Sequence, residues 1–214
     1  MTALSLQAAS ISITSSPSIV VTDGSSSGIT DAINVSGNPE AIESITVEFN
    51  LSAASGSSAF LGDLYVYLTN GTDLAVLVNR PGGTSSNQFG YSDNQSMMVL
   101  FSQLGLNDIH DYRTPVTGDP STPLSSTLTG TWQPDSRNTD PSLVLDTDPR
   151  TADLSAFVGN PADGTYTLFV ADMSSGNVHQ LDSWTLNIET VPEVSSFLMV
   201  VLGSCGLLLR RCRA

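Results

Sequence analysis

Along residues 45–51, Ile45, Val47, Phe49 and Leu51 alternate with Thr46, Glu48 and Asn50. An extended chain with that spacing has one apolar and one polar face, which is the pattern of a half-buried β-strand. The same period recurs in Leu64, Val66 and Leu68 with Tyr65 and Tyr67 opposite, in Tyr166, Leu168 and Val170, and in Trp184, Leu186 and Ile188. These four segments predict strands whose apolar faces form the core. Shorter segments at 10–13, 18–21, 29–35, 74–78, 97–101 and 127–132 bring the expected total to roughly eight to ten strands. Clusters of Gly, Asn, Asp and Ser separate them, where turns form most readily. No stretch of the body follows the 3.6-residue helical period, and 153–158 is the one place where a single helical turn is expected.

Three connections, 79–95, 102–126 and 133–152, exceed the roughly 12–15 residues at which structureless loops become uncommon. They read as functional insertions or mobile decoration. Pro115, Pro120, Pro123, Pro134, Pro141 and Pro149 keep the second and third out of central strands, because proline offers no ladder donor.

Charge narrows the function classes. The 214-residue chain contains no lysine, and residues 1–190 hold four arginines (Arg80, Arg113, Arg137, Arg150) against twenty acids, a balance of −16. Such a surface repels phosphate backbones and has no basic stripe, which excludes nucleic acid as a partner. It favours cations and basic partners, although acidic solubility accounts for it equally well. Cys205 and Cys212 lie near the C-terminus, so the body is cysteine-free and its stability rests on a core of adequate size.

Two blocks carry a family resemblance. Gly62-Asp63-Leu64, Leu68, the turn Asn70-Gly71-Thr72 and Leu74 to Leu77 form the first. The second comprises Gly164-Thr165-Tyr166-Thr167-Leu168, Val170-Ala171-Asp172, Gly176, Leu181, Ser183-Trp184-Thr185-Leu186 and Ile188. Together they resemble the P domain of subtilisin-like proprotein convertases, over about residues 28–189. The resemblance implies an all-β, jelly-roll-like antiparallel β-sandwich of the galactose-binding-domain-like shape, without catalytic residues of its own. In that family the domain supports a neighbouring protease domain, for which this chain has no room. The residues suffice physically as structure: a tight turn at Asp163-Gly164, a turn capped by the Asp172 carboxylate, and a large buried surface at Trp184. Asn177 stands beside Gly176 where many members have an acid, and 133–152 is a longer insertion than convertase modules show. Residues 90–113, with Asn107-Asp108-Ile109-His110-Asp111-Tyr112, look more like bacterial free-standing versions.

At residue 191 the grammar changes. Val191-Pro192-Glu193-Val194, an apolar run over 197–209 and Arg210-Arg211-Cys212-Arg213 resemble a PEP-CTERM sorting signal, with Val194 in place of the second proline. The expected element is one short C-terminal apolar helix. Thirteen residues at about 1.5 Å each reach roughly 20 Å, short of a ~30 Å hydrocarbon core, which suits a transient membrane handle better than a permanent anchor. Positive residues beyond the run belong on the cytoplasmic side. The resemblance implies an exosortase-type sorting protease as partner, with Val191, Pro192, Glu193, Arg210, Arg211 and Arg213 as the signal. The organisation is therefore 1–10 as remnant export signal or first edge strand, 11–190 as the sandwich, and 191–214 as the sorting and membrane segment.

No catalytic set emerges. His110 and His179, the only histidines, fall in expected loops, and neither accompanies a G-x-S-x-G elbow or an H-E-x-x-H zinc pattern. Without lysine there is no Schiff-base chemistry. No cofactor is required, and calcium is the ion best suited to the available oxygen donors, with Asp63, Asp108, Asp111, Asp172 and Asp182 as strand-end or loop candidates. Sequons at Asn34, Asn50, Asn70 and Asn94 fit a surface protein, and chance supplies several in so Ser- and Thr-rich a chain. The expected function is that of an exported, non-enzymatic binding or structural module of the cell surface or extracellular matrix, with an extracellular glycan or protein as ligand. The alternative is an accessory module of subtilisin-like serine endopeptidase activity supplied by another chain.

Overall fold

The computed structural model describes residues 8–191 apart from Gly56, Ser58 and Asn177. Pro192, Glu193, Arg210, Arg211, Arg213 and the expected C-terminal helix lie outside the described residues. Among the described residues no helix is long and apolar enough to cross a membrane.

Ten strands form two sheets: β1 (Ser10–Ser15), β2 (Ile19–Val20), β3 (Ser25–Val35), β4 (Ile42–Ala53), β5 (Leu64–Thr69), β6 (Leu74–Asn79), β7 (Met97–Phe101), β8 (Leu128–Trp132), β9 (Gly164–Asp172) and β10 (His179–Thr190). One sheet runs β1-β10-β4-β7-β8 with β2 also on β10, and the other runs β3-β9-β5-β6. With β2 and β8 set aside and the remaining eight strands renumbered in chain order, the two sheets read 1-8-3-6 and 2-7-4-5. That interleaving is a jelly roll. All the expected segments fold as strands, and Leu154–Phe157 makes the single helical turn expected at 153–158.

The departures have local causes. The pair β7–β8 is parallel, which requires a crossover of a dozen residues or more, and the connection over 102–127 supplies it. That crossover also holds a 3-10 turn at Ile109–Asp111 and a short helix, α1 (Arg113–Thr117), so 153–158 is not the only helical turn. Pro115 falls inside this helix of five residues, where its missing N–H removes little from so short a ladder.

The core is the apolar half of each alternation. Phe49, Leu64, Val66, Leu68, Leu168, Val170 and Trp184 are fully enclosed between the sheets. In β10 the inward set changes parity: His179 and Leu181 are buried, and then Trp184, Leu186 and Ile188. A bulge between Leu181 and Ser183 makes this possible, since one extra residue returns the following side chains to the same face. Asp182 is that extra residue.

The connection over 133–152 is packed against the sandwich. Asp135 and Ser136 donate backbone N–H groups to Leu77 and Val76, and Val76 donates to Ala152. The open edge of β6 is thereby covered, which protects an otherwise exposed row of ladder groups.

Candidate functional site

One end of the sandwich, called here the upper end, collects the finish of β6 and β9 and the start of β5, β7 and β10. Asp172 continues the inward alternation of β9 and is fully buried. Its Oδ2 receives a hydrogen bond from His179 Nδ1 at 2.8 Å, and its Oδ1 accepts from the Ser174 amide at 3.2 Å, which is the turn cap expected from the sequence. His179 opens β10 instead of lying in a loop, and its Nε2 has no partner.

Asp63 precedes β5 in a 3-10 turn, Leu61–Asp63, and is also buried. Arg80 Nη2 donates to Asp63 Oδ1 at 3.4 Å and to Ser174 Oγ at 2.8 Å, while Nε donates to the Gly62 carbonyl at 3.3 Å. Burial first and the Asp172 charge second push the Asp63 carboxyl up to about 6, against the pull of Ser174, Arg80 and His179. Two carboxylates thus share this corner with one guanidinium and one imidazole.

Above Asp63 opens a cavity of about 410 Å3 walled by Phe60, Phe89, Tyr91 and Met173, with Ser92, Ser174 and Ser175 on its rim. The Tyr91 side of the wall is held by close backbone packing. Gly62 N–H donates to the Tyr91 carbonyl, and a Cβ at Gly62 would stand 2.4 Å from the Tyr91 nitrogen, so only glycine lets the two backbones approach. Tyr91 is fixed further by its hydroxyl on Asp111 at 2.6 Å and by the Arg113 guanidinium, 4.3 Å over its ring. Phe89 stands 70% exposed, with Arg80 5.7 Å from its ring centroid.

Two further buried networks secure the long connections. Asp93 accepts from Tyr112 Oη, Arg113 Nε and the Leu124 amide, each at 2.7 Å. Asp135 accepts from His110 Nδ1 at 2.8 Å, Arg137 Nη1 at 3.1 Å and the Asn79 amide at 3.2 Å. His110 Nε2 faces the Gly83 carbonyl at 3.1 Å, so both ring nitrogens meet acceptors, an arrangement that only the protonated ring satisfies. Burial alone pulls the His110 pKa down, but the Asp135 hydrogen bond and charge with the Gly83 carbonyl outweigh it and the opposing Arg137, leaving it above 6.5.

Of the five aspartates singled out for calcium, the fold brings Asp63 and Asp172 together, leaves Asp108 and Asp111 at the two ends of one 3-10 turn, and engages these two and Asp182 with other partners. Asp108 caps the 3-10 turn at His110 and pairs with Arg137 at 2.9 Å, Asp111 holds Tyr91 and Thr114, and Asp182 sits on the bulge with Gln180. Among the described residues no group of three or more His, Cys, Asp or Glu side chains is placed to hold a metal ion. Sequence reasoning missed Asp93 and Asp135, the two acids that carry the most buried donors. The spacing Asp135-Ser136-Arg137 offered a faint signal, since an acid two residues from an arginine inside a long loop is a candidate local pair.

No protein-family model matches this sequence, and no curated protein does. Among solved structures, the chain is similar to a chain in the crystal structure of the Aeromonas sobria serine protease with its chaperone ORF2, at 15% identity and a TM-score of 0.44 over 86% of this chain and 28% of that one. The crystal structure of the A. sobria serine protease gives 13% identity and a TM-score of 0.43, over 86% of this chain and 27% of that one. This chain therefore spans little more than a quarter of the length of those it matches.

Proposed function

We propose that the chain is an exported, surface-displayed, non-catalytic binding module whose ligand-facing end is the upper corner of the jelly roll. The observation that carries this reading is the cavity above Asp63, a recess of about 410 Å3 that lies within the roughly 300–1,000 Å3 range of ligand sites and combines aromatic walls with a few polar groups. The state of the histidines supports it. Each is buried on an aspartate, and among the described residues neither ring hydrogen-bonds a hydroxyl that it could activate. Display rests on the sequence of 191–214, with an exosortase-type protease as processing partner. Calcium, if bound, stabilises loops and takes no chemical role.

A second reading, an accessory module for a subtilisin-like protease on another chain, is favoured by the two sequence blocks that resemble a P domain. They are adjacent in space, with Leu64 opposite Asp172 and Leu68 opposite Leu168. Purified full-length chain incubated with generic protease, esterase and glycosidase substrates should give no turnover, and the same chain should be retained on an array of extracellular glycans and peptides. Turnover abolished by His110→Ala or His179→Ala would overturn the non-catalytic reading.

A further inference from the structure

We infer that the cavity above Asp63 receives the side chain of an arginine or lysine from a partner peptide, with Asp63 as counter-ion and Phe60, Phe89 and Tyr91 as its walls. The inference rests on the binding-module reading and supplies the ligand class of that site.

Charge is the first argument. All four arginines in the described residues are engaged with aspartate: Arg80 with Asp63, Arg113 with Asp93, Arg137 with Asp108 and Asp135, and Arg150 with Asp108 at 3.6 Å. Three of these arginines are buried and Arg150 is two-thirds covered, so little positive charge stands among the acids left at the surface, and the resulting field draws cations in and keeps anions out. Within the corner the deficit is local. Asp63 and Asp172 share one guanidinium, Arg80, and the His179 imidazole is engaged on Asp172 at 2.8 Å. Burial first and the Asp172 charge second leave the Asp63 pKa raised to about 6 against the pull of Ser174, Arg80 and His179. A second cation beside Asp63 opposes that rise, because opposite charge within a few ångströms favours the carboxylate.

The walls give the second argument. A guanidinium or ammonium is attracted to the face of an aromatic ring, and its aliphatic stem gains from apolar contact. The chain already uses this chemistry on two of the rings that wall the cavity, with Arg80 near Phe89 and Arg113 over Tyr91. The exposed Phe89 is left to meet a ligand, and the hydroxyls of Ser92, Ser174 and Ser175 on the rim can accept the donors that Asp63 does not.

The test titrates the full chain with Nα-acetyl-arginine amide and with its citrulline counterpart, a neutral analogue of the same shape, following binding by calorimetry at pH 7.5 and pH 5. Arginine should bind at least tenfold more tightly than citrulline, and its affinity should fall roughly tenfold at pH 5, where Asp63 is largely protonated. Asp63→Asn should remove both the preference and the pH dependence. Phe89→Ala, at a position exposed enough to leave the fold intact, should weaken arginine several-fold, which keeps the test decisive should Asp63→Asn misfold. Equal binding of citrulline, or unchanged affinity in Phe89→Ala, overturns the inference. A basic peptide retained equally by wild type and Phe89→Ala would sink this site while leaving the binding-module reading intact. An array blank for every glycan and peptide would sink that reading itself.

Discussion

At the scale of single residues, the fold gives its buried aspartates and its central tryptophan hydrogen-bond partners, while His179 Nε2 is one of the few buried side-chain atoms among the described residues left without one. Trp184 is fully buried opposite Phe49, and its indole N–H reaches Asp31 Oδ2 at 2.7 Å. Asp31 projects inward from the edge strand β3, so one carboxylate both satisfies the tryptophan and discourages further strands from joining that edge. Trp184→Ala should cost about 3–5 kcal/mol by opening a cavity, with Trp184→Phe between it and wild type because ring volume remains while Asp31 loses its donor. Denaturant midpoints measure this series, and an unmoved midpoint in Trp184→Ala would mean that β10 faces the other way. The tryptophan was legible in the sequence as a large residue at an inward position. Its acceptor was not, because Asp31 lies 153 residues away.

Among the elements, the strands are set by local alternation and the long connections by buried electrostatics. Asp93 ties the middle of 102–127, at Arg113, to its end at Leu124, and Asp135 ties 133–152 to β6 through Asn79 and to the 102–127 crossover through His110. Breaking such a network by removing one partner leaves a buried charge uncompensated. His110 makes the second network pH-dependent. Its folded-state pKa lies above the unfolded 6.5, so its stabilisation is complete below 6.5 and is lost as pH rises through the folded value. Chemical denaturation at intervals from pH 6 to pH 9 should show stability declining in wild type, with a flatter profile in His110→Gln from a lower starting value. A decline of equal slope in the variant would assign it to other groups. Sequence alone could flag these loops as too long to be idle, but not whether they were pinned, since that depends on which acid meets which arginine.

For the whole molecule, the jelly roll brings sequence-distant strands together, and the described residues contain a continuous buried core. The last described contact is Val191 N–H on the Ala41 carbonyl. Deleting 192–214 should therefore leave the thermal midpoint essentially unchanged while releasing the body from cells into the medium. Loss of a cooperative transition in the truncated chain would show that the tail belongs to the core. What the sequence by itself determined is local and periodic: the segments that become strands, their inward faces, the turn at Asp172, the −16 of the body and the break at 191. These follow from chemistry within a few residues, because side-chain alternation and turn propensity need no distant partner. The tertiary structure decided the parallel β7–β8 pair, the bulge at Asp182, the burial of both histidines and the meeting of Asp63 with Asp172 and Arg80. Each of these depends on which strand ends share a corner, and that is fixed by packing two sheets together over separations that no local pattern encodes.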